Sequence, residues 1–249
     1  MSIIIKSERE IATMRQAGRI VASVLELLRS QLKPGMRTKE LDDIAARELA
    51  KLGAKASFKG YRGFPASLCV SINDEIVHGI PGKRVIKEGD VVSLDLGATF
   101  DGFQGDSAIT VGVGKTSSRA KQLMETTEAA LRAGISAAHD GARLGDISAT
   151  IQEYVESRGY SVVREYTGHG IGRELHEEPQ IPNFGWAGTG PELKKGMTMA
   201  LEPMVNIGDW RTRVGSDNWV VFTADGSLSA HFEHTIAITD GEPEVLTIV

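Results

Sequence analysis

The chain has 249 residues, a formal net charge of −5 and a single cysteine, Cys69. Such a length can bury roughly three quarters of the unfolded surface without disulfide staples, and one cysteine excludes an intrachain bridge and fits a reducing, cytoplasmic compartment. The 28 basic residues lie scattered among 33 acidic ones, which argues against a nucleic-acid footprint; no apolar run nears the ~18–20 residues of a membrane span, and charges enter MSIIIKSEREIATM too early for a signal peptide.

Ser7-Glu8-Arg9-Glu10 has the pattern of a capping box. Ile11, Met14, Val21, Val24, Leu25 and Leu28 follow at helical spacing and predict a long helix to about Leu32, ended by Pro34-Gly35. A second helix starts near Thr38, carries Leu41, Ile44, Ala45 and Leu49, and stops at Gly53. Strand-like segments follow at residues 67–72 and 91–111. The pattern then restarts with a long helix over 117–138, a break at His139-Asp140-Gly141 and a shorter helix over 146–157 ending at Gly159. Further strand-like pieces lie at 160–165, 198–205, 219–223 and 234–239.

The two halves can be laid over each other. Gly35 and Arg37 fall on Gly141 and Arg143, Leu41 on Ile147 and Gly53 on Gly159; Glu88-Gly89 precedes Asp95 as Lys195-Gly196 precedes Glu202. A nearly constant offset predicts a duplicated unit of two helices and a hairpin. The expected architecture is a pseudo-twofold α+β domain over residues 1–249, with half-repeats at about 7–112 and 117–240. Each half then places a carboxylate near the shared axis.

Residues 91–109, VVSLDLGATFDGFQGDSAI, read as a hairpin turning at Phe100-Asp101-Gly102. With an even-residue turn, facing residues have positions of opposite parity, so Asp95 and Asp106 share a face, directly opposed or on the diagonal. Two like charges there must repel, hold a proton or share a cation; two solvated aspartates on an exposed hairpin are the plainer alternative. Glu202, in MTMALEPMVNIG, and Glu233, in SLSAHFEHTIAIT, also interrupt apolar strand-like runs. Each alone reads equally as half of a buried ion pair or as the outer face of an edge strand. His169 is flanked by glycines, which suit a close approach of its imidazole; His176 follows seven residues later, and His78 also stands beside glycine. A lone histidine is more often a satisfied polar residue than a ligand. Together, two Asp, two Glu and one His form an oxygen-rich set better suited to a pair of Mn, Fe or Co ions with bridging carboxylates than to tetrahedral structural zinc.

The order of these five residues, with DGFQGDS, TGHGIGRELHEEP, ALEPM and FEHTIAIT around them, resembles the methionine aminopeptidase family over nearly the whole chain. The resemblance implies the pita-bread fold. It implies that Asp95, Asp106, His169, Glu202 and Glu233 are ligands of two divalent ions (Co, Mn, Fe or Zn), with Asp106 and Glu233 bridging. It further implies a metal-activated hydroxide that attacks the carbonyl following an N-terminal methionine, with Glu202 shuttling the proton. By the same resemblance His176 stabilises the tetrahedral intermediate, His78 hydrogen-bonds the substrate near the scissile amide, and Phe58, Tyr61, Phe64, Cys69, Leu175 and Trp219 form the apolar methionine pocket. Phe58 and Leu175 stand where some members carry cysteine and phenylalanine.

Only 33 positions separate His169 from Glu202, which leaves no room for the helical insertion of the type II enzymes, and no N-terminal zinc-finger extension is read; the chain resembles the short, bacterial-type type I form. The implied partner is the N-terminus of nascent polypeptides near the ribosome, with a small second residue, and the implied state is a cytoplasmic monomer without nucleic-acid or membrane contacts. An X-Pro aminopeptidase or prolidase of the same fold is the rival enzyme, although those usually carry a substantial N-terminal domain. A non-catalytic peptide-binding module is the rival of another class.

Overall fold

The computed structural model describes residues 2–249. Helix α1 spans Glu8–Gln31 and opens with Ser7 as N-cap, the Ser7 hydroxyl and Glu10 carboxylate closing a reciprocal capping box. Helix α2 spans Thr38–Lys51, α3 Ser118–Ser136 and α4 Leu144–Glu156. Four helices therefore stand where helical spacing places them. Matching positions of the halves also adopt matching conformations. Arg37 and Arg143 are both N-caps whose backbone N–H is accepted by an acid three residues on, Glu40 or Asp146. Gly35 and Gly141, before them, have φ of +92° and +83°, a region open to glycine.

A nine-stranded antiparallel sheet forms the centre, in the order Lys55–Ala56, Val91–Phe100, Phe103–Gly112, Glu233–Ala237, Thr198–Leu201, Gly168–Gly170, Glu177–Ile181, with Cys69–Ile72 and Glu244–Val245 on side branches. Its middle seam joins the halves: Glu233 stands opposite Ala108 and His234 opposite Ser107. Across that seam the Thr235 hydroxyl both accepts from the Asp106 N–H and donates to the Asp106 carbonyl.

The pleat separates two environments. On one face Val92, Leu94 and Leu96 pack against Val21, Leu25, Leu28 and Leu41; in the other half Met199, Leu201 and Ile236 pack against Leu123, Leu131, Ile147 and Ile151. The helices thus cover one face. The opposite face is left to carry polar residues.

Several strand boundaries differ from the sequence expectation. The run expected over 198–205 is two strands, Thr198–Leu201 and Met204–Asn206, because Glu202-Pro203 breaks the ladder; proline has no N–H to donate. Glu202 therefore lies in the break rather than inside a strand. The piece expected at 160–165 shrinks to Ser161–Val162, and Trp219 lies just before Val221–Thr223. Glu75–Val77, Thr212–Val214 and Ser229–His231 are too short for a periodicity to register.

Candidate metal centre

The hairpin turn is two residues, Asp101 and Gly102, with φ of +47° and +78°, the signature of a tight hairpin turn with both central residues left-handed. Phe100 pairs with Phe103, Asp95 with Ala108 and Asp106 with Gly97. Asp95 and Asp106 are thus diagonal neighbours on one face. Register carries the same face across the sheet: Glu233 is opposite Ala108, Thr235 opposite Ala200, and Ala200 opposite His169. Strand pairing alone brings Asp95, Asp106, His169 and Glu233 onto the face away from the helices. Glu202, one residue beyond Leu201, joins them at the strand break.

A cavity of about 160 Å³ opens on this face. Its floor holds these five side chains; His78 and His176 lie beside them, and Phe58, Tyr61, Phe64, Cys69, Leu175 and Trp219 line the rest. Every site residue expected from the sequence is therefore brought to one cavity. Arg62 also lines it, a residue that sequence reasoning passed over because a lone arginine in a Gly-rich loop carries no pattern.

The glycines around His169 also stand where neighbouring strands come close. A Cβ on Gly168 would sit 2.4 Å from the Ala200 carbonyl oxygen, and one on Gly170 would sit 2.2 Å from that of Glu178. They make room for the flanking strands. His169 Nδ1 lies 2.9 Å from the Gly170 carbonyl, so this nitrogen carries the hydrogen and donates it, and Nε2 keeps its lone pair. Nε2 lies 3.6 Å from Glu202 Oε1 and 3.9 Å from Asp106 Oδ2.

Ligand atoms of Asp106, His169 and Glu233 all lie within 4.8 Å of one another. Asp95 Oδ1, Asp106 Oδ1 and Glu233 Oε1 are buried without a hydrogen-bond partner. Among the described residues, the only cationisable groups within 4 Å of these acids are imidazoles, His169 and His231. Burial pushes the Asp95 carboxyl up to about 7. Burial, reinforced by the neighbouring acids, raises Asp106, Glu202 and Glu233 well above the usual range. Burial likewise lowers His169 to about 3. A cluster of carboxyls that cannot ionise together, with orphaned oxygens and a neutral imidazole lone pair, fits a divalent cation.

The remaining groups are held for polar work. His176 Nδ1 and the Tyr61 hydroxyl share a 2.8 Å hydrogen bond, with the rings stacked at 5.2 Å. Desolvation and the Arg62 charge lower the His176 pKa to about 4. His78 follows Glu75–Val77 with φ of +62°, a strained conformation for a side-chain-bearing residue that recurs at functional sites. Its ring meets Tyr166 and Trp219 edge-on. Phe64 and Trp219 pack edge-to-face at 5.1 Å, and the buried Cys69 thiol is pushed up by desolvation and by Asp95, so it is a neutral apolar wall rather than a thiolate ligand.

The model of the metallopeptidase family M24 matches residues 12–240. The chain belongs to that family. Methionine aminopeptidase 1 of Bacillus subtilis is 55% identical over 99% of this chain and 100% of its own length. Methionine aminopeptidase of Aquifex aeolicus is 48% identical over 99% of each. The solved structure of methionine aminopeptidase from Thermotoga maritima, 49% identical, superposes with a TM-score of 0.98 over 100% of both chains. This M24 chain therefore stands among the methionine aminopeptidases of bacterial-type size, and its pita-bread fold and metallopeptidase class follow. Prolidase from Pyrococcus furiosus shares the fold, with a TM-score of 0.82 at 23% identity, but this chain covers only 66% of it. The M24 chain is a metallopeptidase, and its buried Asp106, His169 and Glu233 form a group able to hold a divalent ion.

Proposed function

We propose that Asp95, Asp106, His169, Glu202 and Glu233 hold two divalent ions, that Asp106 and Glu233 bridge them, and that the chain uses this centre to release methionine from the N-termini of nascent polypeptides with a small second residue. The observation that carries the reading is the meeting, in one cavity, of a five-residue donor floor and an apolar wall sized for one side chain. Once bound, the ions lower the pKa of water and polarise a carbonyl. The protein's own groups do the rest.

Phe58, Tyr61, Phe64, Cys69, Leu175 and Trp219 surround the methionine side chain and exclude water. Asp95 would hold the ion on the side where the substrate's free amine would be recognised, which would restrict action to a chain terminus. Glu202 accepts the proton of the attacking water and returns it to the leaving amine. His176, its Nδ1 engaged by Tyr61, donates from Nε2 to the oxygen that gains charge. His78, fixed by its left-handed backbone, hydrogen-bonds the substrate near the scissile amide. Residues 1–249 act as one catalytic domain of two half-repeats, as a cytoplasmic monomer. No helix among the described residues is long and apolar enough to cross a membrane.

Protein purified without added metal, assayed on Met-Ala-Ser with Mn, Fe, Co or Zn and analysed for bound metal, tests the reading. Methionine release with two bound ions is expected. Cleavage of X-Pro peptides without release from Met-Ala or Met-Gly would sink it.

A further inference from the structure

Among the described residues, His231 is the buried imidazole neither of whose ring nitrogens has a hydrogen-bond partner. Backbone geometry fixes it there. Strand Ser229–His231 pairs with Met204–Asn206, setting His231 opposite Met204. From the hairpin, the Thr110 hydroxyl donates to the His231 carbonyl at 2.6 Å and accepts from its N–H at 2.9 Å. A ring enclosed this way is destabilising unless its N–H finds an acceptor.

The acceptors at hand are carboxylates of the metal centre. His231 Nε2 lies 3.8 Å from Glu202 Oε2 and 4.0 Å from Glu233 Oε2. On the other side, Glu202 Oε1 lies 3.6 Å from His169 Nε2. The Glu202 carboxylate is bracketed between two imidazoles, one oxygen facing each. Its backbone is held, with the Asn183 amide donating to the Glu202 carbonyl at 3.0 Å, and each carboxylate oxygen stops short of hydrogen-bond distance to the imidazole it faces, at 3.6 Å and 3.8 Å.

We propose that His231 is a positioning residue for the metal centre: its Nε2–H donates to Glu202 Oε2, which keeps Oε1 turned toward His169 and the metal site. Reaching hydrogen-bond distance takes a shift of about 1 Å in the carboxylate. A hydrogen at Nε2 leaves no lone pair there, so His231 orients a ligand and is not one itself. Partners of this kind fix which oxygen a ligating carboxylate presents, and a proton shuttle depends on that choice. The inference rests on the metal-centre reading above.

The test strips the full chain of metal with a chelator and titrates it with Co²⁺, reading visible absorption and affinity against a chelating dye, beside kcat and KM on Met-Ala-Ser. His231→Leu, which has no donor, is expected to bind its first cobalt ~10–100-fold more weakly and to lower kcat with little change in KM. His231→Gln, whose amide reaches the same oxygen, is expected to restore affinity, spectrum and kcat to within about threefold. Wild-type cobalt affinity and kcat in His231→Leu overturn the proposal. If that variant fails to fold, His231→Asn, whose amide is too short, is set against His231→Gln; equal affinities and kcat overturn it. A wild-type chain that takes up no cobalt overturns the metal-centre reading, and this inference with it.

Discussion

The two halves of the sheet present their acids by different means. Asp95 and Asp106 stand on one uninterrupted hairpin, Val91–Phe100 and Phe103–Gly112, closed by two residues. Glu202 and Glu233 border strands Thr198–Leu201 and Glu233–Ala237, which pair directly but are joined by the whole excursion 203–232. That excursion carries Trp219 to the cavity wall and His231 behind Glu202. The difference shows that register, not connection length, sets where the acids stand: pairing at the seam fixes Glu233 however far the chain wanders first. A long connection between paired strands is tolerated and free to build a pocket.

The sharpest break of this comparison lies at the seam. Asp106 and Glu233 come from unlike connections, yet they occupy equivalent positions beside the central strand pairing. Asp106→Ala and Glu233→Ala are therefore expected to be equally severe, each removing methionine release and metal uptake together. Metal analysis beside the peptide assay checks it. Full metal content in either variant refutes the bridging assignment.

Where the halves diverge, effects should be smaller and of another kind. The second half supplies His176 on a loop, and the first half supplies Tyr61 to hold it. His176→Ala is expected to lower kcat by ~10²–10³-fold with metal content intact, as for loss of an oxyanion donor. Tyr61→Phe, which leaves the imidazole in place, should lower it by less. Metal loss in His176→Ala would make His176 a ligand instead.

How much of this was legible in the sequence follows the same division. The hairpin acids were readable because a two-residue turn makes side-chain parity a local property of residues 95–106. The helices were readable from spacing and caps, as with Ser7 and Glu10. Glu202 was readable as an acid in an apolar run, but not as a residue in a break, because the effect of Pro203 depends on which neighbour strand needs its N–H. His231 was overlooked altogether, although its place two residues before Glu233 is the alternation that puts both on one face. Its significance lies in contacts with Thr110 and Glu202, over a hundred and almost thirty positions away in the chain, and no local pattern reports those. Likewise the glycines beside His169 suit a close approach of its imidazole, but their clearance for the Ala200 and Glu178 carbonyls depends on strands remote in the chain.

The meeting of the halves also sets a pH dependence. Asp95 titrates near 7 in the folded, metal-free chain against an ordinary value of 3.8, and Asp106, Glu202 and Glu233 are raised too. The folded chain then holds protons that the unfolded chain has released, so stability falls as pH rises through about 7. The lowered imidazoles, His169 and His231 near 3 and His78, His176 and His234 near 4, act oppositely. Their effect is confined to pH below about 6.5, where unfolded histidine becomes charged. Above about pH 6.5, and through the Asp95 value of about 7, the carboxyls govern. The Tm of chelator-treated protein should fall over that window, and added Mn²⁺ or Co²⁺ should reduce or reverse the fall. A flat Tm without metal would mean that the acids are not crowded as the strand register places them.

The smallest expected effect isolates the one device the second half lacks. Gly102 has φ of +78°, and a Cβ built on it would meet nothing closer than Arg173 Nη1 at 3.8 Å, so Gly102→Ala disturbs the backbone conformation and no packing. It should lower stability by about 1 kcal/mol in urea unfolding, with metal stoichiometry and kcat unchanged. The reason is that Phe103–Gly112 is pinned on its other edge by Glu233 and His234. That edge holds the register even when the turn is strained. Loss of metal in Gly102→Ala would reverse the order of causes and make the two-residue turn, rather than the seam between the halves, what keeps Asp95 and Asp106 on one face.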